Sequence, residues 1–497
     1  MVDISHRLGN RKKNTGRRVL DMARRIRLET HSIDFIPLSA RHGKAADLFF
    51  LWFGANAQMA VVTTGILTIY PHFAFFWAAV GIVAGSLLGS VFMAYHSAQG
   101  PHLGIPQMIQ SRAQFGYYGA VIPLVMVVAM YLGFYAAGAV IGADALSLLF
   151  HVPVHVGIFI CAAADLILVL GGYTFIHRFN RAMAYFFTAV FAVVTGLLIW
   201  GPGLGRGLHH AAVHGQFMTG PFLLAISLAV INTLGYAPYV ADYSRYLPAK
   251  TTIGATFWYS YIGVVLSNIW MMLLGALVQT ESPHTDPVRG FFHLGLHVSP
   301  LMATAVLLAA WLGIISINAL NIYGAFMSTL TIVSTFYRRW KPTLSLRVKF
   351  IIPITIVATY VSFFDKSALL ASFETFLTLL IDFLVPWTAI NLTDYYLVRH
   401  GIYDIQDIFR PNGRYGQVNV NAFAAYIIGF AAEIPFMHNA YFEGPVSRFL
   451  HNGDISWMVG IAVAGFIYWI TAKFRTRAPA GGGDLRQIPG RLQRTRT

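Results

Sequence analysis

Charge is scarce in this chain. Asp, Glu, Lys and Arg together make up 11% of its 497 residues, whereas a soluble domain carries about 25%. So few charges cannot coat the water-facing surfaces of the several domains that such a length could otherwise hold. Cysteine is scarcer. Cys161 is the single one and stands in an apolar run, which excludes a disulfide scaffold within the chain. The basic start has no apolar core or small-residue cleavage site before about residue 46, so no secretory signal peptide is expected. A Gly-rich phosphate loop is missing, which argues against ATP as the energy source. Histidine is plentiful, with 18 copies. Yet His209, His210 and His214 share one loop, and His72, His96, His102, His177 and His400 fall at the ends of apolar runs. No pair is placed to hold haem or a metal, and no organic cofactor is expected.

What the chain has is apolar length. Hydrophobic residues form 56% of it, and a helix needs about 20 mainly apolar residues to cross a bilayer. Twelve such runs are present, at 46–70, 73–95, 117–150, 154–174, 182–201, 219–241, 254–279, 299–336, 348–364, 369–398, 418–438 and 456–472. The fold class is therefore an all-α polytopic membrane protein. A net charge of +15 would suggest nucleic acid if the protein were soluble. Here its placement decides. With the N-tail and even-numbered loops on one side, that side holds 31 of the 35 Lys and Arg, counting Lys349 at the head of the ninth run. Arg206, Arg289, Lys366 and Arg448 lie opposite. Basic residues mark the cytoplasmic face. Both termini are expected there, with the chain in the plasma (inner) membrane. Anionic membrane lipid is partner enough for the positive charge, and no nucleic acid is needed. The stretch 1–45 reads as a basic cytoplasmic tail and 475–497 as a disordered one. A monomer is compatible with all of this.

Many transporters consist of two halves of inverted topology, each opening on a broken helix that marks the binding site. Five helices per half would make 46–201 the first repeat and 219–398 the second, with 418–472 as two further helices. The first run of each half carries an interruption. Run one holds Gly54-Ala55-Asn56-Ala57-Gln58, and run six holds Asn232-Thr233-Leu234-Gly235-Tyr236-Ala237-Pro238. Glycine used for close packing of ordinary membrane helices would explain either alone. The matching positions favour breaks. An unpaired backbone group in lipid costs several kcal/mol, so a break must line a cavity or be buried in protein. Its free carbonyls can then hold a cation.

The segment Gly235-Tyr236-Ala237-Pro238-Tyr239-Val240-Ala241-Asp242-Tyr243-Ser244-Arg245-Tyr246-Leu247-Pro248 resembles the helix-six signature of the purine–cytosine permeases, in the nucleobase:cation symporter family. Arg112-Ala113-Gln114-Phe115-Gly116, Asn318-Ala319-Leu320-Asn321-Ile322-Tyr323 and Thr393-Asp394-Tyr395-Tyr396-Leu397-Val398-Arg399 are similar to three further family motifs, in order and in spacing. Ser32-Ile33-Asp34-Phe35-Ile36-Pro37 fits as well. The resemblance implies a leucine-transporter-type fold and import of a nucleobase or related heterocycle, driven by a sodium or proton gradient. A ureide such as allantoin, a hydantoin, or a thiamine- or pyridoxine-like vitamin ring is the alternative cargo.

A flat heterocycle wants an aromatic face and an amide to read its edge. Phe134 falls where the family usually has a stacking tryptophan; on residue type alone it is one more apolar core residue. One turn on, where members often carry an amide, stands Gly138, which removes an edge reader. Tyr236 aligns with the aromatic of fungal-type members, and bacterial members place theirs nearer Thr233. Asn232, a polar group within a span, meets either the ligand or a neighbouring helix. Asn321 aligns with a substrate-binding asparagine, and its amide offers both donors and an acceptor. Asn318 is then structural. Asn56 and Gln58 cannot share a helical face, but both line a cavity if the helix is unwound. Gly235 completes the substrate set.

For the coupling ion, sodium-coupled members use helix-one carbonyls, here of Gly54 and Ala57, and two helix-eight hydroxyls. Those two positions are Ile315 and Ser316, so one oxygen is missing and the proton competes. Intramembrane acids are then of interest, namely Asp144, Asp165, Asp382 and Glu433. Asp382, in helix ten, is expected to face the site. Asp242, at a helix end, reads as structural. A redox subunit or enzyme would need a reactive cluster that the chain lacks, and a passive channel would need no ion at all.

Overall fold

The computed structural model describes residues 33–200, 215–281, 286–337, 344–363 and 369–477. Most of the N-terminal tail, the loop of His209, His210 and His214, Lys366, and the tail from residue 478 lie outside the described residues. The helices in chain order are α1 Asp47–Asn56, α2 Met59–Ile66, α3 Phe75–Leu103, α4 Gln107–Phe115, α5 Val121–Phe150, α6 Val154–Leu170, α7 Tyr173–Trp200, α8 Thr219–Leu234 and α9 Val240–Ser244. They continue as α10 Ile253–Glu281, α11 Pro287–Leu296, α12 Pro300–Phe336, α13 Leu344–Val361, α14 Leu369–Leu392, α15 Val420–Glu433 and α16 Ser456–Arg477. Every apolar run falls on one of them. Among the described residues, 6 helices are long and apolar enough to cross a membrane, up to 7 spans if the bent pair α1–α2 counts as one. Four shorter apolar helices accompany them, at Val154–Leu170, Thr219–Leu234, Val420–Phe436 and Ser456–Ala472.

Both expected interruptions are present. The α1–α2 pair bends by 58°. Ala57 closes α1 by donating to the Phe53 carbonyl, and Gln58 is extended at φ −149°. In span six, α8 stops at Leu234 and α9 starts at Val240. Between them the chain tightens into short turns, Ala237 N–H bonding Leu234 O at 2.8 Å and Tyr239 N–H bonding Tyr236 O at 3.1 Å.

Small residues let the spans of one group approach closely. Gly81, Gly85 and Gly89 form a stripe at four-residue spacing on α3, which presses on α8. A Cβ at Gly85 would lie 2.3 Å from the Ile226 carbonyl. Gly65 of α2 and Gly275 of α10 do the same for each other's helix, against Met272 and Val62. Backbones meet this closely only where side chains are absent. Thus α1, α2, α3, α8 and α10 pack as one group. A second group is α5, α6, α12 and α13, and α14, α15 and α16 pack together as a third.

The helices depart from the apolar reading in three places. Helix α3 runs on to Leu103, carrying His96 inside, where it is fully buried and stacked on Trp387 at 4.9 Å. His96 is therefore no boundary residue. Helix α4, with Gln107, Gln110, Arg112 and Gln114, is buried along its whole length. Several of its polar groups find partners in the protein. Gln107 N–H bonds Asp242 at 2.7 Å, Arg112 bonds Thr335 at 3.0 Å, and Gln114 bonds Asp394 at 3.0 Å. Hydropathy cannot report burial of this kind. Helix α16 likewise runs past the expected end of its span, to Arg477, into a stretch that composition reads as disordered.

The glycine stripe makes a prediction. Gly85→Leu forces α3 off α8 and destabilises the fold by about 1–3 kcal/mol, the usual penalty of overpacking. Gly254→Ala, where nothing lies within 4 Å, leaves stability unchanged or slightly raised. Thermal unfolding of the two purified variants checks this; equal melting points would contradict it.

Candidate functional site

The two breaks meet through side chains. Tyr236 Oη donates to Asn56 Oδ1 at 2.8 Å, and Asn232 Nδ2 reaches the same oxygen at 3.4 Å. Asn232 also donates to Asn268 Oδ1 at 2.5 Å, and Asn56 Nδ2 reaches Asn268 Oδ1 at 3.2 Å and Ser267 Oγ at 3.3 Å. Asn268 passes the chain on to Ser86 Oγ at 2.8 Å. Asn56, Asn232 and Tyr236 thus have one another and α10 as partners, which is the interhelical alternative weighed for Asn232. Sequence reasoning missed Asn268, although an amide inside the apolar run of α10 was a visible signal. Gln58 differs. It is buried, and its Oε1 has no hydrogen-bond partner among the described residues.

Across from this knot stand α5 and α12. Phe134 is half-buried, edge-on to Phe376 at 5.1 Å, and its ring tip lies 3.6 Å from the place a Cβ at Gly235 would occupy. One turn along α5, a Cβ at Gly138 would lie 2.7 Å from Asn318 Oδ1. The amide of Asn318 therefore fills the space that a side chain at 138 would need. Asn318 donates to the Tyr135 carbonyl at 3.2 Å and accepts from Asn321 at 3.4 Å. Asn321 lines a cleft with Tyr131, Tyr239, Tyr243 and Asp242. Tyr131 packs on Tyr239 at 5.5 Å, and Trp52 meets Tyr236 and Tyr243 edge-on at 5.5 and 5.4 Å. Sequence reasoning did not assign this tyrosine wall. Chemically the cleft offers ring faces and an amide, suited to a flat polar heterocycle.

The structure separates other expected members from this group. Thr233 faces α3, where a Cβ at Gly89 would lie 2.4 Å from its Oγ1, and it bonds back to the Val230 carbonyl at 3.0 Å. Asp382 does not face the cleft. Its Oδ1 lies 3.0 Å from Ser456 Oγ, so the side chain turns toward α16. Glu374, Thr378 and Asp382 recur every four residues and mark one face of α14, but the sequence does not tell which neighbour that face meets. Glu433, fully buried, sits in the same seam against Gly460. Asp165 is fully buried on α6, beside Tyr135 and Asn318, though outside the cleft lining itself. Asp144, on α5, is likewise no part of that lining.

The candidate ion ligands converge on α7. Gly54 abuts Ala184, whose Cβ would lie 3.0 Å from a Cβ at that glycine. Ser316 donates to Asn180 Oδ1 at 2.7 Å, one helical turn away. Ala57 is fully buried beside them in sequence, and Ile315 contributes only hydrocarbon.

Comparison with known proteins shows the family and the fold. The profile of a family described as permease for cytosine/purines, uracil, thiamine, allantoin matches residues 35–460. YxlA of Bacillus subtilis (strain 168), which carries the name of a purine-cytosine permease, is 41% identical over 92% of this chain and 98% of its own. The purine-cytosine permease fcyB of Emericella nidulans is 24% identical over 93% and 92%. Among solved structures, the inward facing conformation of Mhp1 superposes with a TM-score of 0.73 at 21% identity, over 90% of this chain and 94% of that one. Mhp1 in a closed conformation with bromovinylhydantoin bound gives 0.71 at 20%, over 90% and 95%. At such identities the likeness is one of fold. By profile and by its relatives, the chain belongs to the cytosine/purine permease family of nucleobase:cation symporters, and is a membrane permease rather than an enzyme.

Proposed function

We propose that the protein imports a nucleobase-like heterocycle across the plasma (inner) membrane by cation symport, with both termini in the cytoplasm. The carrying observation is the facing pair of Phe134 and the Gly235 turn, with the Asn318–Asn321 amides one turn away. Phe134 and the turn touch in this state, so a ring enters by displacing the Phe134 tip, and then has a stacking face on one side and donors and acceptors at its edge. The family supports nucleobase-type cargo, and purine-cytosine permeases are the relatives that cover this chain most fully. A hydantoin permease of Microbacterium maritypicum, 23% identical, keeps the ureide-like alternative in the test. The halves 46–201 and 219–398 act as inverted repeats in this reading. Alternating access rocks the group of α1, α2, α3, α8 and α10 against α5, α6, α12 and α13.

The proton is the preferred coupling ion. Sodium is a hard cation that wants several oxygen ligands. Ile315 supplies none, and the Ser316 hydroxyl is bonded to Asn180. The backbone carbonyls of Gly54 and Ala57 alone make a poor cage.

Two sets of measurements check this. Cells expressing the protein should accumulate a purine or pyrimidine above equilibrium in sodium-free medium, and lose that accumulation when the proton gradient is collapsed. Substrate binding that requires sodium would refute proton coupling, and flux that never exceeds equilibrium would indicate a channel. In equilibrium binding, Phe134→Ala should weaken affinity about tenfold through lost stacking and apolar contact. Asn321→Ala should weaken it roughly five- to hundred-fold, the effect of leaving a polar edge unpaired at about 1–3 kcal/mol. Thr233→Val, facing α3, should leave affinity unchanged. Equal effects at all three positions would contradict the placement of the site.

A further inference from the structure

The acids of the last three spans have no part in the cleft. Asp382 on α14, Glu433 at the end of α15 and Asp454 just before α16 are each no more than 2% exposed. Ser456 Oγ lies 3.0 Å from Asp382 Oδ1 and 2.6 Å from Asp454 Oδ1. A serine hydroxyl has one proton. It donates to one of these oxygens and must accept from the other, and an ionised carboxylate has nothing to donate. One of the two carboxyls therefore carries a proton. Asp454 also accepts from two backbone donors, Ser456 N–H at 2.8 Å and His438 N–H at 2.8 Å. Such bonds favour an ionised acceptor. Burial pushes the Asp454 carboxyl up, and the bonds from Ser456 and His438 pull it down. The hydrogen bonds thus run from Asp382 O–H to Ser456 Oγ, and from Ser456 O–H to Asp454.

Glu433 adds an independent observation. Both its oxygens lack a hydrogen-bond partner among the described residues. Its carboxyl occupies the space left by Gly460, where a Cβ would fall 1.5 Å from Oε1 and 2.7 Å from Val385 Cγ1. Gly460 is one turn beyond Ser456, and Val385 about one turn beyond Asp382, so Glu433 is aimed into the same seam. Among the described residues no Lys or Arg forms an ion pair with any of the three acids. The other titratable groups facing them are His438, at the hairpin, and Tyr426, which donates to the Phe383 carbonyl at 2.8 Å. An unpaired buried carboxylate is strongly unfavourable, so Glu433 is neutral. The loop carrying Asp454 is fastened to α8, because Ser227 Oγ donates to the Asp454 carbonyl at 2.8 Å.

We infer that Asp382, Ser456, Asp454 and Glu433 form a proton-binding site, separate from the substrate cleft and attached to the first half of the broken span six. Its ligand is the proton itself. The inference does not depend on the cargo or on which cation drives import.

Infrared spectroscopy of the full-length purified protein tests it, since a protonated carboxyl has a carbonyl stretch that a carboxylate lacks. At neutral pH the wild type should show that band. Asp382→Asn and Glu433→Gln, near-isosteres of the neutral acids, should each remove about one carboxyl's intensity. Ser456→Ala should shift the frequency of the Asp382 contribution while keeping its intensity. Should either acid variant fail to fold, the Ser456→Ala shift still decides. A wild-type spectrum without the band, or a band unaltered by all the substitutions that fold, would overturn the inference.

Discussion

Hydrocarbon offers no hydrogen bonds, so a membrane helix that breaks must find partners for what it exposes. In this protein short turns meet the backbone of span six, and amides join the side chains at both breaks. Asn56 ends the first half of span one, Asn232 and Tyr236 flank the end of the first half of span six, and Asn268 of α10 joins them. The knot fastens both breaks to a third helix. It makes α1, α2, α3, α8 and α10 a unit whose inner contacts are satisfied without any ligand, and the glycine crossings hold that unit tight.

The consequence for transport is a division of labour. In the proposed reading, the residues that meet a ligand lie on both units, with Phe134 on α5 and Asn321 on α12 facing Tyr239 and Tyr243 of span six. The knotted unit presents the turn at Gly235 and the unpaired oxygen of Gln58. A cargo seated between them touches both units, so its binding is sensitive to how they are placed. Coupled transport requires that sensitivity. Gly138 shows how a lost side chain is compensated in space, because the amide absent from α5 is supplied from α12.

Much of this was legible in the residues. Each apolar run coincides with described helix, and helix-weakening residues beside amides located both breaks. The partners of those amides were not legible. Thr233 and Asp382 illustrate why. The polar residues of a span mark a face but not the helix that the face meets, so a side chain's partner depends on neighbours distant in sequence. Helix α4 illustrates the converse. Its Gln and Arg side chains read as a water-facing loop, yet Thr335 and Asp394 draw Arg112 and Gln114 into the interior, and Asp242 accepts from the Gln107 backbone N–H. Polar matching over more than a hundred residues of separation leaves no local trace.

The most direct measurement is an experimental structure of the full chain with a nucleobase bound. The account predicts a ring lying on Phe134 against the turn at Gly235, with one edge at about 2.7–3.2 Å from the Asn321 amide. A ring seated away from both residues, or an unbroken helix through 235–239 closing the space beside Phe134, would contradict it.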